Sequence, residues 1–473
     1  MMRSLLLKST VLATVLAGLG VAAGLAERPA TFDLRVVQLP GSLSRDNLEA
    51  HLDYLHELGF NSLWVQTHQI SDNPFDPAPV LNEASRVLAA WCARKNVRLI
   101  VSLNPAIVGA DRYAISDAEL VVAIRRFAKR IRRDAGVTDL VLSFETAAPE
   151  LTELRDVLAY GRDVGPAHAD LAARVRRRLP KKIRLWFHPA RPYTTPSLQA
   201  VAALPLSIGL VWHGPAAVSP QVKAADADRL AAIVGSRAIL LRDRFPANQA
   251  GNRMPLSNNL GPLRGRDPEL VSRIAGHVSV AMEDWGASRL TLITVADWLR
   301  SPRTYEAKPS WERAMRTLAG DDAEALEALR TQALEWGGPL GGRNHHTALT
   351  DNPAETSRVF RDPALVSRWR WTLTRYPERM RGLQGLADRV FRDELLEMMA
   401  RRLAIARAIP PVREILTRQS AGRNDLGGLI AEVNHLRDRV TRPTVRIALE
   451  RFLHAAGVLD LLGSAESPPA KRN

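Results

Sequence analysis

Leu34-Arg35-Val36-Val37-Gln38 and Ser62-Leu63-Trp64-Val65-Gln66 are short apolar runs, and between them Leu48, Leu52, Leu55 and Leu58 recur every three or four residues before Gly59. The runs have strand length, the leucines share one face of a helix, and Gly59 suits the helix end, so Leu34–Gln66 reads as a βαβ unit. The pattern continues outward. Further strands are expected at Arg98–Leu103, Asp139–Phe144, Ile183–Phe187, Ile208–Val211 and Ala238–Leu241, with helices over Val80–Lys95, Ala118–Ala135, Leu151–Arg178 and Ala224–Val234. Repeated βα units imply a parallel sheet. An eighth strand is only weakly marked, near Asn258–Leu263. Periodicity alone does not separate a closed barrel from an open doubly wound sheet. No Gly-rich turn follows the first strand, which argues against a dinucleotide fold, and no cofactor is expected.

Beyond Trp311 the strand signal stops. Ala323–Glu335, Pro363–Tyr376, Arg379–Ala408, Pro411–Gln419 and Leu426–Gly457 read as helices, and the Gly- and Asn-rich Gly337–Asn352 reads as a loop. A chain of 473 residues accommodates a barrel of roughly 250 residues and a second module. The expected division is a signal segment over 1–26, a barrel over 30–316, a helical domain over 320–463 and a polar tail over 464–473.

Arg3 and Lys8 precede the apolar run Val11–Ala23, and Gly24-Leu25-Ala26 is a small-x-small cleavage site before Glu27, so export to a periplasmic or extracellular space is expected. Retention of that run as an anchor is the alternative. The formal charge is +15, and losing Arg3 and Lys8 leaves +13. For an exported chain, such a balance points to anionic lipids, cell-wall polymers or acidic polysaccharides rather than nucleic acid. Peripheral association with a membrane or cell wall is compatible with it. The run from Arg174 to Lys182 has helical spacing, and a solvated helix face is its default reading. Cys92 is the single cysteine and is expected to be a buried small hydrophobe. His345-His346 lacks spaced carboxylate or thiol partners, so no metal site is assigned.

Three segments resemble glycoside hydrolase family 84, the β-N-acetylglucosaminidase and O-GlcNAcase family. They are Leu210-Val211-Trp212-His213-Gly214-Pro215-Ala216-Ala217-Val218-Ser219-Pro220, Asn259-Leu260-Gly261-Pro262-Leu263-Arg264-Gly265-Arg266-Asp267-Pro268, and Thr294-Val295-Ala296-Asp297-Trp298-Leu299 with Ser301-Pro302, Tyr305 and Ser310-Trp311. Leu58-Gly59-Phe60-Asn61 falls where the family has a similar turn. The resemblance covers about Leu34 to Trp311. It implies a TIM-type (β/α)8 barrel followed by an all-helical C-terminal domain, with the site at the C-terminal ends of the strands.

The resemblance also implies a substrate-assisted reaction, in which one Asp polarises the sugar's acetamide and the adjacent Asp protonates the leaving oxygen. Here those positions are Glu145 and Thr146. A threonine hydroxyl is a poor acid, and loss of a positioned general acid removes about 10²–10⁴-fold in rate. His68 stands where the family has a lysine, Arg244 where it has an asparagine, Gln249 where it has an aspartate and Glu283 where it has another asparagine. Trp212, Asp243 and Asn248 are retained, and Tyr193 is a further polar candidate. Trp212, Gly214, Pro215, Gly261 and Pro262 are read first as fold-maintaining.

His68, Glu145, Asp243, Arg244 and Glu283, with Tyr193, are therefore expected near one barrel mouth. Either they pair as a structural network or they form a new site with Glu145 as its acid or base. The leading functional expectation is an exported glycosidase homologue that binds an amino-sugar glycan, neutral or anionic, without the family's hydrolysis. The alternatives are a divergent hydrolase or lyase using Glu145 and Glu283, and a scaffold whose helical domain docks a partner in an envelope assembly.

Overall fold

The computed structural model describes residues 31–40, 48–71, 74–75, 81–105, 113–145, 147, 150–190, 195–216, 219–247, 259–336, 363–423, 425–459 and 462. The expected signal segment, the His345-His346 loop and the tail lie outside the described residues. Eight parallel strands close into a barrel: β1 (Leu34–Gln38), β2 (Ser62–Gln66), β3 (Arg98–Leu103), β4 (Asp139–Ser143), β5 (Arg184–His188), β6 (Ile208–Trp212), β7 (Ile239–Pro246) and β8 (Gly276–Val280). Closure is made by β8 pairing with β1 from Leu34 opposite Gly276 to Gln38 opposite Val280. Among the described residues no helix is long and apolar enough to cross a membrane.

The eighth strand differs from expectation. Asn259–Leu263 is a loop, and Gly276-His277-Val278-Ser279-Val280 is the strand. Its sequence alternates glycine and valine with polar residues, which hides it from an apolar-run search, but each face has a reason. Gly276 and Val278 point into the barrel, and a Cβ on Gly276 would lie 2.4 Å from Cβ of Leu34. His277 points outward and packs edge-on against Trp298.

The same alternation fills the barrel. Leu34, Val36, Trp64, Ile100, Val141, Trp186, Val211, Leu240 and Val278 form a separate interior core, while the intervening residues pack outward against helices. Gly209 makes room for the largest of them, since a Cβ there would sit 2.3 Å from Cε3 of Trp186.

The surrounding helices are α1 (Leu48–Glu57), α2 (Glu83–Lys95), α3 (Ala118–Ala135), α4 (Val164–Arg178), α5 (Thr195–Ala202), α6 (Ala224–Val234) and α7 (Arg289–Arg300). Among the described residues between β7 and β8 the helical element is a 3₁₀ turn, Pro268–Ser272. The expected helix over Leu151–Arg178 is two, Leu154–Tyr160 and α4, because Gly161 takes a positive φ and ends the first. Cys92 is buried on α2, and burial pushes its thiol up to about 12.

The C-terminal part is helical: α8 (Ala307–Ala319), α9 (Ala323–Glu335), α10 (Pro363–Gly382), α11 (Arg389–Ser420), α12 (Gly427–Asp438) and α13 (Pro443–Ala455). Two helices were expected where α11 is one, because Pro410-Pro411 normally ends a helix. Ile405, Ala408, Ile409, Val412 and Ile415 keep one buried face across the prolines, against a core shared with Leu449, Phe452 and Leu453 of α13. Burial on both sides of the break outweighs the lost backbone bonds.

A shared core of Leu260, Met282, Leu290, Trp311, Phe391, Leu395 and Met399 fastens α11 to the barrel. Its polar rim is specific. Arg289 pairs with Asp388 at 2.7 Å, Arg401 with Asp284, and Glu394 accepts from the backbone N–H of Ala287 at 3.1 Å. Burial, aided by the nearby negative Asp284, raises the Glu394 carboxyl to about 7.

The sign of the resulting pH dependence follows directly. The folded protein keeps this proton up to about 7, while an unfolded chain releases it near 4.5, so the contribution to stability falls as pH rises through that interval. Glu394→Gln should remove that fall. Melting curves are expected to converge near pH 4.5 and to favour the variant by about 3 kcal/mol near pH 7.5. A difference that does not change with pH would refute the assignment.

Candidate functional site

The interior face of the barrel continues upward into charge. On β4, Val141 points inward, so Ser143 and then Glu145 do also; the same parity carries Trp186 to His188, Val211 to His213, Leu240 to Arg242 and Arg244, and Val36 to Gln38. The C-terminal ends of five strands thereby deliver these side chains to one place, directly above the apolar interior.

Glu145 is the hub. Its Oε2 accepts from Nη1 of Arg242 at 2.8 Å, and its Oε1 from Nη2 of Arg244 at 2.6 Å, with Nε2 of His213 at 3.5 Å from the same oxygen. Arg242 is itself fixed, donating through Nε to Oε1 of Gln38 at 2.7 Å and lying 5.9 Å from the ring of Trp64. His188 bonds to His213 through the two Nε2 atoms at 2.7 Å, so one ring donates and the other accepts. Nδ1 of His188 is 2.9 Å from the hydroxyl of Ser143, its neighbour in the β4–β5 register.

Burial would by itself raise the Glu145 carboxyl, but Arg242, His188, His213 and Arg244 hold it well below the usual carboxylate range. An ionised carboxylate whose two oxygens each bind a guanidinium has no proton to donate and little basicity. It also has no oxygen free of a cationic partner to receive an acetamide N–H. The group at the polarising position is therefore occupied as an ion-pair acceptor.

Glu145, His188 and His213 place three potential ligand atoms within 4.8 Å of one another. The donor set is one that divalent metals use. Two guanidiniums on the same carboxylate oppose a further cation there.

Several expected site residues lie elsewhere. Asp243 and Trp212 have the opposite parity from Arg242 and His213, so they point away from the mouth into the layer between barrel and helices. Asp243 is buried, receives both Nε and Nη2 of Arg266 at 2.6 and 2.7 Å, and lies 3.1 Å from Nε2 of His277. Its place at the mouth is thus corrected: the retained aspartate belongs to a closed ion cluster. Burial would raise its carboxyl, but Arg266 and His277 hold it well below the ordinary range. Trp212 packs in the outer apolar core.

His68 is exposed on the short helix Thr67–Ile70 after β2, and Glu283 is half-buried on the loop after β8. Both are on the C-terminal side of the barrel. Thr146, Tyr193, Asn248 and Gln249 lie outside the described residues. Gln38, Ser143, His188, His213 and Arg242 were not anticipated. The signal that finds them is the two-residue alternation counted from the apolar interior through each strand's last residue.

Apart from His213, the segments carrying the sequence resemblance hold the scaffold together. Nε1 of Trp311 donates to the Leu260 carbonyl at 2.7 Å, the Tyr305 hydroxyl to the Leu263 carbonyl at 2.7 Å, and the Leu263 N–H to the Thr294 hydroxyl at 3.0 Å. Gly265 has φ +72°, and a Cβ there would lie 2.3 Å from the Pro220 carbonyl oxygen. Gly214 has φ +91°, with Oγ of Ser219 2.7 Å from where its Cβ would stand. These are requirements of the scaffold.

The family described as beta-N-acetylglucosaminidase matches residues 77–333. A mutant of the O-GlcNAc hydrolase of Thermobaculum terrenum superposes with a TM-score of 0.62 at 18% identity, covering 92% of this chain and 97% of that one. CpGH84B superposes with a TM-score of 0.56 at 16% identity, covering 88% and 77%. Barrel, motif segments and helical C-terminal region together make this chain a member of the beta-N-acetylglucosaminidase family of the glycoside hydrolase family 84 type.

Proposed function

We propose that this protein is an exported glycan-binding member of its family that does not carry out the family's usual hydrolysis, and that its ligand is an amino-sugar glycan bearing an acidic group. The observation that carries the proposal is Glu145 held between Arg242 and Arg244. Membership of a glycosidase family supports a glycan as the ligand and the barrel mouth as its place. The excess of guanidinium over carboxylate in the cluster supports an anionic group on that glycan, because Arg forks bind carboxylates and sulfates in a bidentate manner. Of the two, Arg244 is the more exposed and is the one positioned to turn toward a ligand. Export rests on the sequence of residues 1–26. The apolar, partner-docking reading of the helical domain has less support, since among the described residues of α11 to α13 Ile447 is the one large exposed hydrophobe.

A glycan array tests the binding. Retention of acidic amino-sugar glycans, weakened about tenfold in Arg244→Ala, is expected. Retention of neutral glycans alone, or equal binding by the variant, would reject the acidic-ligand reading.

A further inference from the structure

The opposite end of the barrel holds a second concentration of positive charge. A cavity of about 360 Å³ is lined by Arg98 at the start of β3, Thr138 and Asp139 at the start of β4, Arg176 near the end of α4, Lys181, Lys182, Ile183 and Arg184 leading into β5, and Ser207. Five of these residues are cationic and one is acidic. We propose that this cavity is a binding site for a multiply charged tetrahedral oxyanion, a phosphate or sulfate ester, separate from the barrel mouth.

The single acid does not neutralise the group. Asp139 is buried and committed: it accepts from Nε1 of Trp186 at 2.9 Å, from the Thr138 hydroxyl at 2.8 Å and from Nε of Arg184 at 3.0 Å. It cancels Arg184 and leaves the others. Arg98 faces Asp33 at a loose 3.8 Å with both side chains largely exposed, so that pair is weak. Arg176 spends one N–H on the Ile183 carbonyl at 3.2 Å, a neutral partner that orients the guanidinium without reducing its charge. Lys181 and Lys182 are exposed beside it. Arg132 of α3 adds to the rim, its Nη1 reaching the Lys182 carbonyl at 3.4 Å.

Elsewhere on the same two helices, Arg130 and Arg133 share Asp134, and Arg174 pairs with Asp170. Arg125, Arg126 and Lys129 of α3 and Arg177 and Arg178 of α4 are exposed on the same helices, so the cavity lies within a wider basic face. The Ile183 carbonyl orients Arg176, and Asp139 and the Trp186 ring orient Arg184, while the two lysines are exposed point charges on long flexible stems. Planar forks with flexible ammonium groups suit oxygen-rich anions, and the volume admits more than one such group.

Titration calorimetry with inorganic tripolyphosphate and with a sulfated oligosaccharide tests the site. Binding by the wild-type protein should weaken about tenfold or more in Lys181→Glu/Lys182→Glu, which changes exposed residues and spares the fold. A control of equal charge change at exposed helix positions, Lys308→Glu/Arg381→Glu, should alter it less than about twofold, and Arg244→Ala at the mouth should leave tripolyphosphate binding within about twofold. Preference between the two probes identifies phosphate or sulfate as the source. No binding, equal loss in the control, loss confined to Arg244→Ala, or equally tight binding of polyglutamate would each overturn the proposal.

Discussion

Asp243→Ala should destabilise the protein by about 3–5 kcal/mol, the range for removing one partner of a buried ion pair. Arg266 would be left beside His277 with its guanidinium almost wholly enclosed and both bonds to Asp243 gone. The loss comes from the stranded charge as much as from the bonds themselves. A denaturant midpoint measured for the barrel checks it, and a loss below about 1 kcal/mol would show that the cluster relaxes to find solvent. Because the folded carboxyl is held below the ordinary range, its contribution is fully present above the unfolded value near 4 and is lost as pH falls below that. Ligand binding at the mouth should be changed only through stability, since Asp243 faces the other way.

Arg242→Ala should be nearly as costly, for a related reason. It removes the most enclosed cation from Glu145, leaves Oε1 of Gln38 without its donor and opens space above Trp64. Glu145→Ala strands Arg242 instead. Each single change is expected to cost about 3 kcal/mol or more, and the double variant about 2 kcal/mol less than their sum, because both single changes break the same buried ion pair. Additive losses would mean that the two groups are held independently. Arg244, more exposed, should contribute less to stability and more to ligand capture.

The fold was legible where apolar runs and leucine spacing coincide with geometry. β1, β2 and β3 fall where their sequences place them, and α3 and α6 have the expected ends. β8 was missed because half of its residues are polar or glycine, a pattern imposed by Leu34 on one side and the Asp243 cluster on the other. The Pro410-Pro411 break was overruled by tertiary burial, which no local reading of those two residues contains.

The site was less legible, and for a specific reason. Glu145 and Arg244 were identified through motif positions, and the structure brings those two together at 2.6 Å. His188 and His213 sit at strand ends just past aromatic and aliphatic runs, where motif comparison treats them as part of the strand. Asp243 was placed at the mouth because it adjoins Arg244, yet adjacent strand residues point to opposite faces. The motif residues themselves, Leu260, Leu263, Thr294, Tyr305 and Trp311, bond to one another. They record the scaffold and are silent about the chemistry above it.

That separation explains how a family barrel can persist while its mouth changes. The scaffold bonds lie outside the barrel, around β7, β8 and α7, and none depends on which side chains crown β4 and β7. Glu145 has Arg242 and Arg244 as its partners. Under the proposed function the Glu145-Thr146 pair has no second carboxylate to donate a proton.

Release of 4-nitrophenol from its β-N-acetylglucosaminide measures this most directly. The protein is expected to release it no faster than its own Glu145→Ala variant, both falling at least 10²–10⁴-fold below a family enzyme with its acid intact. A family-like rate that Glu145→Ala abolishes would contradict the account, since it would require Glu145 to leave both arginines and act on the sugar.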